Sequence, residues 1–315
     1  MIILNIFMLF FSFILLILGI LIGVAFLVLL ERKILGYVQD RKGPNKVFFL
    51  GIFQPFSDAI KLFIKENIML LKVNLFFYLI SPMIGFIMSI MIIFGLPLSC
   101  NMFSMNLFMM YFMSCLSLGI YVILMSSWSS NSNYSMLGGM RSISQSLSYE
   151  VSMFLIFFIM FNYVDSFQLL DFMKYQKNLM FWFVNHMMFI ILFISMIAEL
   201  NRMPFDFVEG ESELVSGFNV EYMSIMFTYI FLAEYMMIML MGFFFVILFF
   251  GYSMIMIKNI FSVLIFMMLM ILIRGSLPRL RYDNLMYFCW YNILSIVMLM
   301  LLFMLILKIL LINFY

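Results

Sequence analysis

The chain has 315 residues, 67% of them hydrophobic and only 10% charged, with a formal net charge of +2 and a mean hydropathy of +1.18. That composition lies far outside the range of a soluble globular domain. The small net charge, with no basic stripe carrying interleaved aromatics, also excludes a surface of the nucleic-acid-binding type.

Crossing about 30 Å of hydrocarbon takes roughly 20 apolar residues in a helix, and runs of that length fill the sequence where a barrel would show alternating segments of about ten. The expected fold is all-α, a single polytopic membrane domain of about eight transmembrane helices. The first span is expected at 2–30, too long for a signal-peptide core and lacking an A-x-A-like cleavage site. In the inner loop after it, 31–73, Phe56, Ala59, Ile60, Phe63 and Ile64 recur at helical spacing, with Asp58, Lys61 and Lys65 on the opposite arc. This pattern predicts an interfacial amphipathic helix starting near Pro55. Spans follow at 74–96 and 105–126, separated by a turn at Pro97 and the polar "SCN" behind it. An inner loop at 127–141 leads to a span at 142–164, and an outer loop to a span at 179–198. The acidic inner loop, 199–221, precedes spans at 222–249 and 257–274. The last inner loop, 275–284, leads to a span at 285–311.

Parity puts thirteen of the seventeen Lys and Arg on one side of this scheme, leaving only Lys174, Lys177, Lys258 and Lys308 on the other. The positive-inside rule makes that the cytoplasmic or matrix side. Cys100, Cys115 and Cys289 are scattered and His186 is the only histidine, so no metal, haem or iron–sulfur set is expected in this chain. Thirty-seven Met and forty-two Phe against four Ala point to an AT-rich gene of the kind mitochondrial genomes carry.

Two glutamates fall inside predicted spans. Glu150 lies nine residues past Arg141, roughly 13 Å along a helix, and Glu234 lies thirteen past Glu221, roughly 20 Å and close to mid-bilayer. A charge at a helix centre costs at least about 2.5–3.5 kcal/mol, so both are expected to face the bundle interior or a wet cavity. They either pass protons or are held neutral by a Ser, Tyr or Gln such as Gln145. The stretch "ELNRMPFDFVEGESELVSGFNVEY", residues 199–222, gathers six of the fifteen carboxylates against one arginine. Acids so close titrate as coupled sites. Phe205, Phe207, Val208, Leu214, Val215 and Phe218 are interleaved with them, which predicts a loop folded back into the bundle; a solvated acidic loop is the alternative.

The segments "LLERKILGY", "RKGPNKV", "QPFSDAIKLFIKE", "WSSNSNYSMLGGMRSISQSLSYEVS", "AELNRMPFDFVEGESELVSGFNVEY", "LAEY" and "RGSLPRLRYDNLM" run in order from residue 29 to 286. Together they resemble one family, the quinone-site membrane subunits of respiratory complex I, the NADH:ubiquinone oxidoreductases. The resemblance implies eight core helices and a ubiquinone tunnel formed with soluble partner subunits at the inner face, beside neighbouring membrane subunits, in the mitochondrial inner membrane with the long loops facing the matrix. It implies a proton-coupling chain of Glu150, Glu199, Asp206, Glu209, Glu211, Glu213, Glu221 and Glu234. For the tunnel it implies polar residues Arg32, Arg41, Asp58, Lys61, Arg202, Arg279 and Arg281 and apolar walls at Phe56 and Phe231. FMN, NADH and iron–sulfur clusters are then expected only in partner subunits, with ubiquinone as the substrate here. Asp40 and Tyr291 depart from the family pattern. Two other readings stay open: a membrane subunit of a related hydrogenase complex, and a stand-alone proton or cation transporter, the latter weakened by the lack of internal repeats and paired broken helices.

Overall fold

A computed structural model of the chain describes residues 2–68, 71–96, 105–177, 179–207, 217–219, 221–251 and 257–314. The expected turn at Pro97 lies outside these residues, as do Cys100, Glu209, Glu211 and Glu213. Every regular element of the described residues is helical. Seven helices there are long and apolar enough to cross a membrane, and one further apolar helix is shorter, so the chain is an all-α polytopic membrane protein.

Helix α1 (Ile2–Val38) runs eight residues, about two turns, past its uncharged stretch, with Glu31 and Arg32 at the start of that extension. Helix α2 (Gln54–Ile64) starts with Pro55 in its first turn, where the missing N–H costs nothing. It packs against α1 and α9, with Ile60, Phe63 and Ile64 left exposed by this chain. Helix α3 (Leu75–Gly95) contains Pro82 and packs on α4 (Phe108–Ser129). Helix α5 (Asn133–Val164) begins nine residues before the expected span, so only residues 130–132 of the expected 127–141 loop separate α4 from α5. Small residues explain the extension. A Cβ on Gly139 would stand 2.2 Å from Ser127 Oγ, so the two backbones approach as closely as small side chains allow. Several serines of this polar stretch are buried and bond to carbonyls of their own helix, as where Ser142 Oγ donates to Gly139 O at 2.7 Å, and Ser135 Oγ crosses to Ser127 O of α4 at 3.2 Å.

Short α6 (Leu169–Tyr175) lies in the connection that follows α5. The segment expected as a continuous span at 179–198 is divided into α7 (Phe181–Val184) and α8 (His186–Glu199). Asn185 makes the break: its backbone leaves the helical region, and its buried side-chain oxygen accepts a hydrogen bond from Tyr163 Oη at 2.8 Å. A polar side chain that finds a partner outside the helix competes with helix propagation. The set closes with α9 (Ser224–Phe250), α10 (Ile257–Ser276), α11 (Tyr282–Tyr287), a π-turn at Phe288–Ile293 and α12 (Leu294–Phe314).

Helices α5 and α9 form the centre. Phe112 of α4 stacks on Phe244 of α9 at 4.3 Å, and Phe157 of α5 meets Phe244 edge-on at 5.0 Å. In lipid such close packing, and not exclusion from water, holds helices together. Helices α1, α10 and α12 turn Leu18, Ile265 and Phe303 outward.

Candidate functional site: a carboxylate-lined cavity

Helix α8 ends at Glu199, and the chain then folds back into the bundle through residues 200–207. Gln145, fully buried on α5, fixes this return with one amide nitrogen that donates to Ala198 O at 2.8 Å and to Phe205 O at 2.9 Å. The backbone N–H of Leu280 adds a bond to Pro204 O at 3.1 Å, tying the connection after Ser276 to the same segment. Phe205, Asp206 and Phe207 are all buried, as their interleaving of aromatic and acid predicts. The amide of Gln145, considered above as a partner for a glutamate, is instead spent on the backbone.

The return closes one side of a cavity of about 170 Å³ whose other walls are α3, α4 and α9. Glu199, Arg202, Asp206 and Glu234 all line it. Arg202 Nη2 stands 3.8 Å from Glu234 Oε2, and its guanidinium carbon lies 4.4 Å from the centre of the Tyr235 ring, within cation–π range. Asp206 Oδ2 is 3.4 Å from Arg279 Nη2. Glu199 Oε2 is buried and has no hydrogen-bond partner among the described residues, while Glu150 on the facing helix is near enough to repel its charge. An acid without a fixed donor, beside a second acid and two arginine-held carboxylates, is an arrangement that can take up and release a proton.

A second polar group sits where α1 meets α2. Arg32 pairs with Asp58, and Gln54 Nε2 donates to the other Asp58 oxygen at 2.9 Å. Lys61 and Arg41 are exposed nearby along the chain, and Phe56 meets Phe26 edge-on at 6.1 Å. Phe231 packs against Tyr235 at 4.5 Å. Arg281 is exposed and pairs with Asp283 at 3.0 Å, away from the cavity lining. Glu221 also stands apart: its backbone carbonyl accepts from Tyr78 Oη at 2.7 Å, and Tyr78 stacks on Tyr222.

Sequence reasoning overlooked Glu31 and Tyr235. Glu31, only 6% exposed, pairs with Arg274 and accepts a hydrogen bond from Tyr235 Oη at 2.6 Å. Since Arg202 lies over the same Tyr235 ring, the α1 acid and the cavity share one aromatic neighbour. The available signal was position: Glu31 is the first charge after thirty uncharged residues, where a carboxylate must either reach water or find a cation.

A bundle of membrane-crossing helices that holds carboxylates and arginines around a cavity defines a class of protein: a polytopic membrane protein with a charged interior. The profile of the NADH dehydrogenase family matches residues 11–305. Among curated relatives, the "NADH-ubiquinone oxidoreductase chain 1" of Aedes aegypti is 46% identical over 280 residues, 89% of this chain and 90% of that one. The protein of the same name from Anopheles gambiae is 46% identical over 282 residues, 90% of each chain. The one from Didelphis virginiana is 41% identical over 287 residues, 89% and 90% of the two chains. The chain belongs to the NADH dehydrogenase family.

Proposed function

We propose that the chain is a membrane subunit of a proton-translocating NADH:ubiquinone oxidoreductase of the mitochondrial inner membrane, acting at the junction between quinone reduction and proton movement. The observation that carries this reading is the meeting of Glu199, Arg202, Asp206 and Glu234 around one cavity, with Arg279 and the Glu31–Arg274 pair at its edge.

Reduction of a quinone headgroup adds negative charge that cations stabilise and protons neutralise. Arg32 and Asp58 at the α1–α2 junction, Lys61 on α2 and Arg279 beside Asp206 are the residues assigned to that end, with Arg41 and Arg281 at the surface facing soluble partner subunits. Phe56 and Phe231 supply apolar wall for an isoprenoid tail. The exposed apolar residues of α2, Ile60, Phe63 and Ile64, suit a helix lying at the membrane surface. Glu150, Glu199, Asp206 and Glu234 then carry the charge change inward, continued by Glu221 and by Glu209, Glu211 and Glu213 of the acidic segment. Flavin, NADH and iron–sulfur clusters belong to partner subunits in this scheme, and neighbouring membrane subunits take over beyond the carboxylates. The arginine-rich loops face the matrix, on the strength of the charge asymmetry.

The test is a mild-detergent native gel of the source membrane, probed for this chain and stained for NADH dehydrogenase activity. Co-migration with a large active band supports the assignment. Migration alone, or with hydrogenase activity, overturns it in favour of a transporter or a hydrogenase subunit.

A further inference from the structure

The start of α9 is held from two directions, and the two holds lie only two residues apart. The buried hydroxyl of Tyr222 shares hydrogen bonds with Ser81 Oγ of α3 at 3.1 Å and Ser129 Oγ of α4 at 3.2 Å. Its ring stacks on that of Tyr78 at 4.4 Å, and Tyr78 Oη donates to Glu221 O at 2.7 Å. Ser224, also buried, turns its hydroxyl away from its own helix and donates to Glu66 O, in the stretch that follows α2. Beside it, the Ile225 N–H donates to Asn67 Oδ1 at 3.4 Å. Tyr222 is thus fixed to α3 and α4, whereas Ser224 and Ile225 are fixed to the chain just beyond the end of α2 at Ile64.

Ser224 is strained in this arrangement. Its φ of +52° lies in the left-handed region, where the Cβ of an L residue crowds its own backbone, and a non-glycine residue stays there only when its surroundings hold it. The bond to Glu66 supplies that hold, so a movement of the stretch after α2 acts directly on the first turn of α9. We infer that Ser224 is a positioning residue that passes a displacement of α2 to Glu234, with Tyr222 as the fixed point about which α9 turns. Glu234 lies ten residues along α9 from Ser224, about 15 Å. A hydrogen-bonded helix is stiff along its length, so a shift at its first turn reaches Glu234 and alters its 3.8 Å approach to Arg202. The inference rests on the reading above, in which Asp58 and Lys61 of α2 belong to the quinone end. Direct packing of α2 on α9 is the competing route between the same two helices.

The experiment uses the assembled enzyme in mild detergent, with amide hydrogen exchange followed by peptide mass spectrometry before and after saturation with decylubiquinone. In the parent, the quinone is expected to slow exchange about threefold or more both in α2 and in residues 222–233. Ser224→Gly removes the hydroxyl, and glycine adopts the left-handed backbone freely, so the fold is retained. In this variant α2 is expected to respond as in the parent while the response of residues 222–233 disappears. Asn67→Ala, at an exposed position, gives a second reading that does not depend on Ser224: the response of residues 222–233 is expected to fall by at least half, whereas Asn67→Asp, which keeps the acceptor for the Ile225 N–H, retains it. A purely structural role for the junction would shift exchange equally with and without quinone and leave the response itself intact. A response of residues 222–233 that is undiminished in Ser224→Gly or, where that variant fails to assemble, in Asn67→Ala, or one that is missing from the parent while α2 responds, overturns the junction and leaves the quinone assignment standing. No response of α2 in the parent overturns both.

Discussion

Replacing Glu31 by Gln tests how far the buried polar cluster depends on charge. The substitution keeps size and hydrogen-bonding capacity but leaves the Arg274 guanidinium without its anion and Tyr235 Oη facing an amide. Removing one partner of a buried pair costs about 3–5 kcal/mol. The Arg274 side chain retains 27% exposure, which relieves part of that penalty, so the lower end of about 3 kcal/mol applies. That corresponds to a factor of more than about 100 in the population of the correctly packed bundle. Thermal inactivation of the assembled enzyme in detergent measures it, in Glu31→Gln, in Arg274→Gln and in the double variant. The double variant removes both charges, so it is expected to lose less than the two single variants added together, by about 0.5–3 kcal/mol. Strict additivity, or a Glu31→Gln enzyme as stable as the parent, would refute the pairing.

Gln145→Leu removes the side-chain donor to Ala198 O and Phe205 O, each of which keeps a backbone donor, Asn201 N–H and Phe207 N–H, so it is expected to cost about 0.5–1.5 kcal/mol per lost bond, lower the melting temperature and expose the 199–207 return to proteolysis. Gly139→Ala forces a Cβ to within 2.2 Å of Ser127 Oγ and is expected to cost about 1–3 kcal/mol through overpacking, whereas Gly119→Ala is neutral in the same melting assay. In α6, a hydrogen bond from Lys174 holds the Asp171 carboxyl below its ordinary value of 3.8. A depressed carboxyl pKa contributes order that is complete at higher pH and lost only as pH falls through the lowered value. Amide exchange in α6, corrected for its intrinsic pH dependence, is therefore expected to show constant protection from neutral pH down to about 5.

Much of the architecture was legible because membrane helices leave a crude signal: a long apolar run. Helices α3, α4, α9 and α10 start and end within a few residues of the expected spans. Where the structure departs, side-chain chemistry overrides hydropathy. The polar start of α5 reads as loop because its serines and glycines lower mean hydropathy, yet those small residues are what lets α4 approach. Asn185 breaks an otherwise apolar run because Tyr163 offers its side chain a partner that no local window contains.

The site was legible as a set of acids but not as a geometry. The clustering of Glu199, Asp206 and Glu234 around one space follows from the fold-back that Phe205 and Phe207 signal. Their individual partners depend on which helix faces which, and spacing along the chain does not encode that. Glu31 and Arg274 are 243 residues apart in sequence and meet only because α1 packs beside α10. Of the two charges read in mid-span, Glu234 lines the cavity and Glu150 does not, while the buried charge at a span end, Glu31, went unread.

The central claim is that carboxylates of this cavity couple quinone reduction to proton movement, and Glu234→Gln in enzyme reconstituted into sealed vesicles tests it most directly. NADH oxidation by an artificial soluble acceptor is expected to stay at the parent level, while quinone reduction and the proton uptake that accompanies it fall together, by tenfold or more. Proton uptake per NADH equal to that of the parent, at an undiminished rate of quinone reduction, would contradict the account.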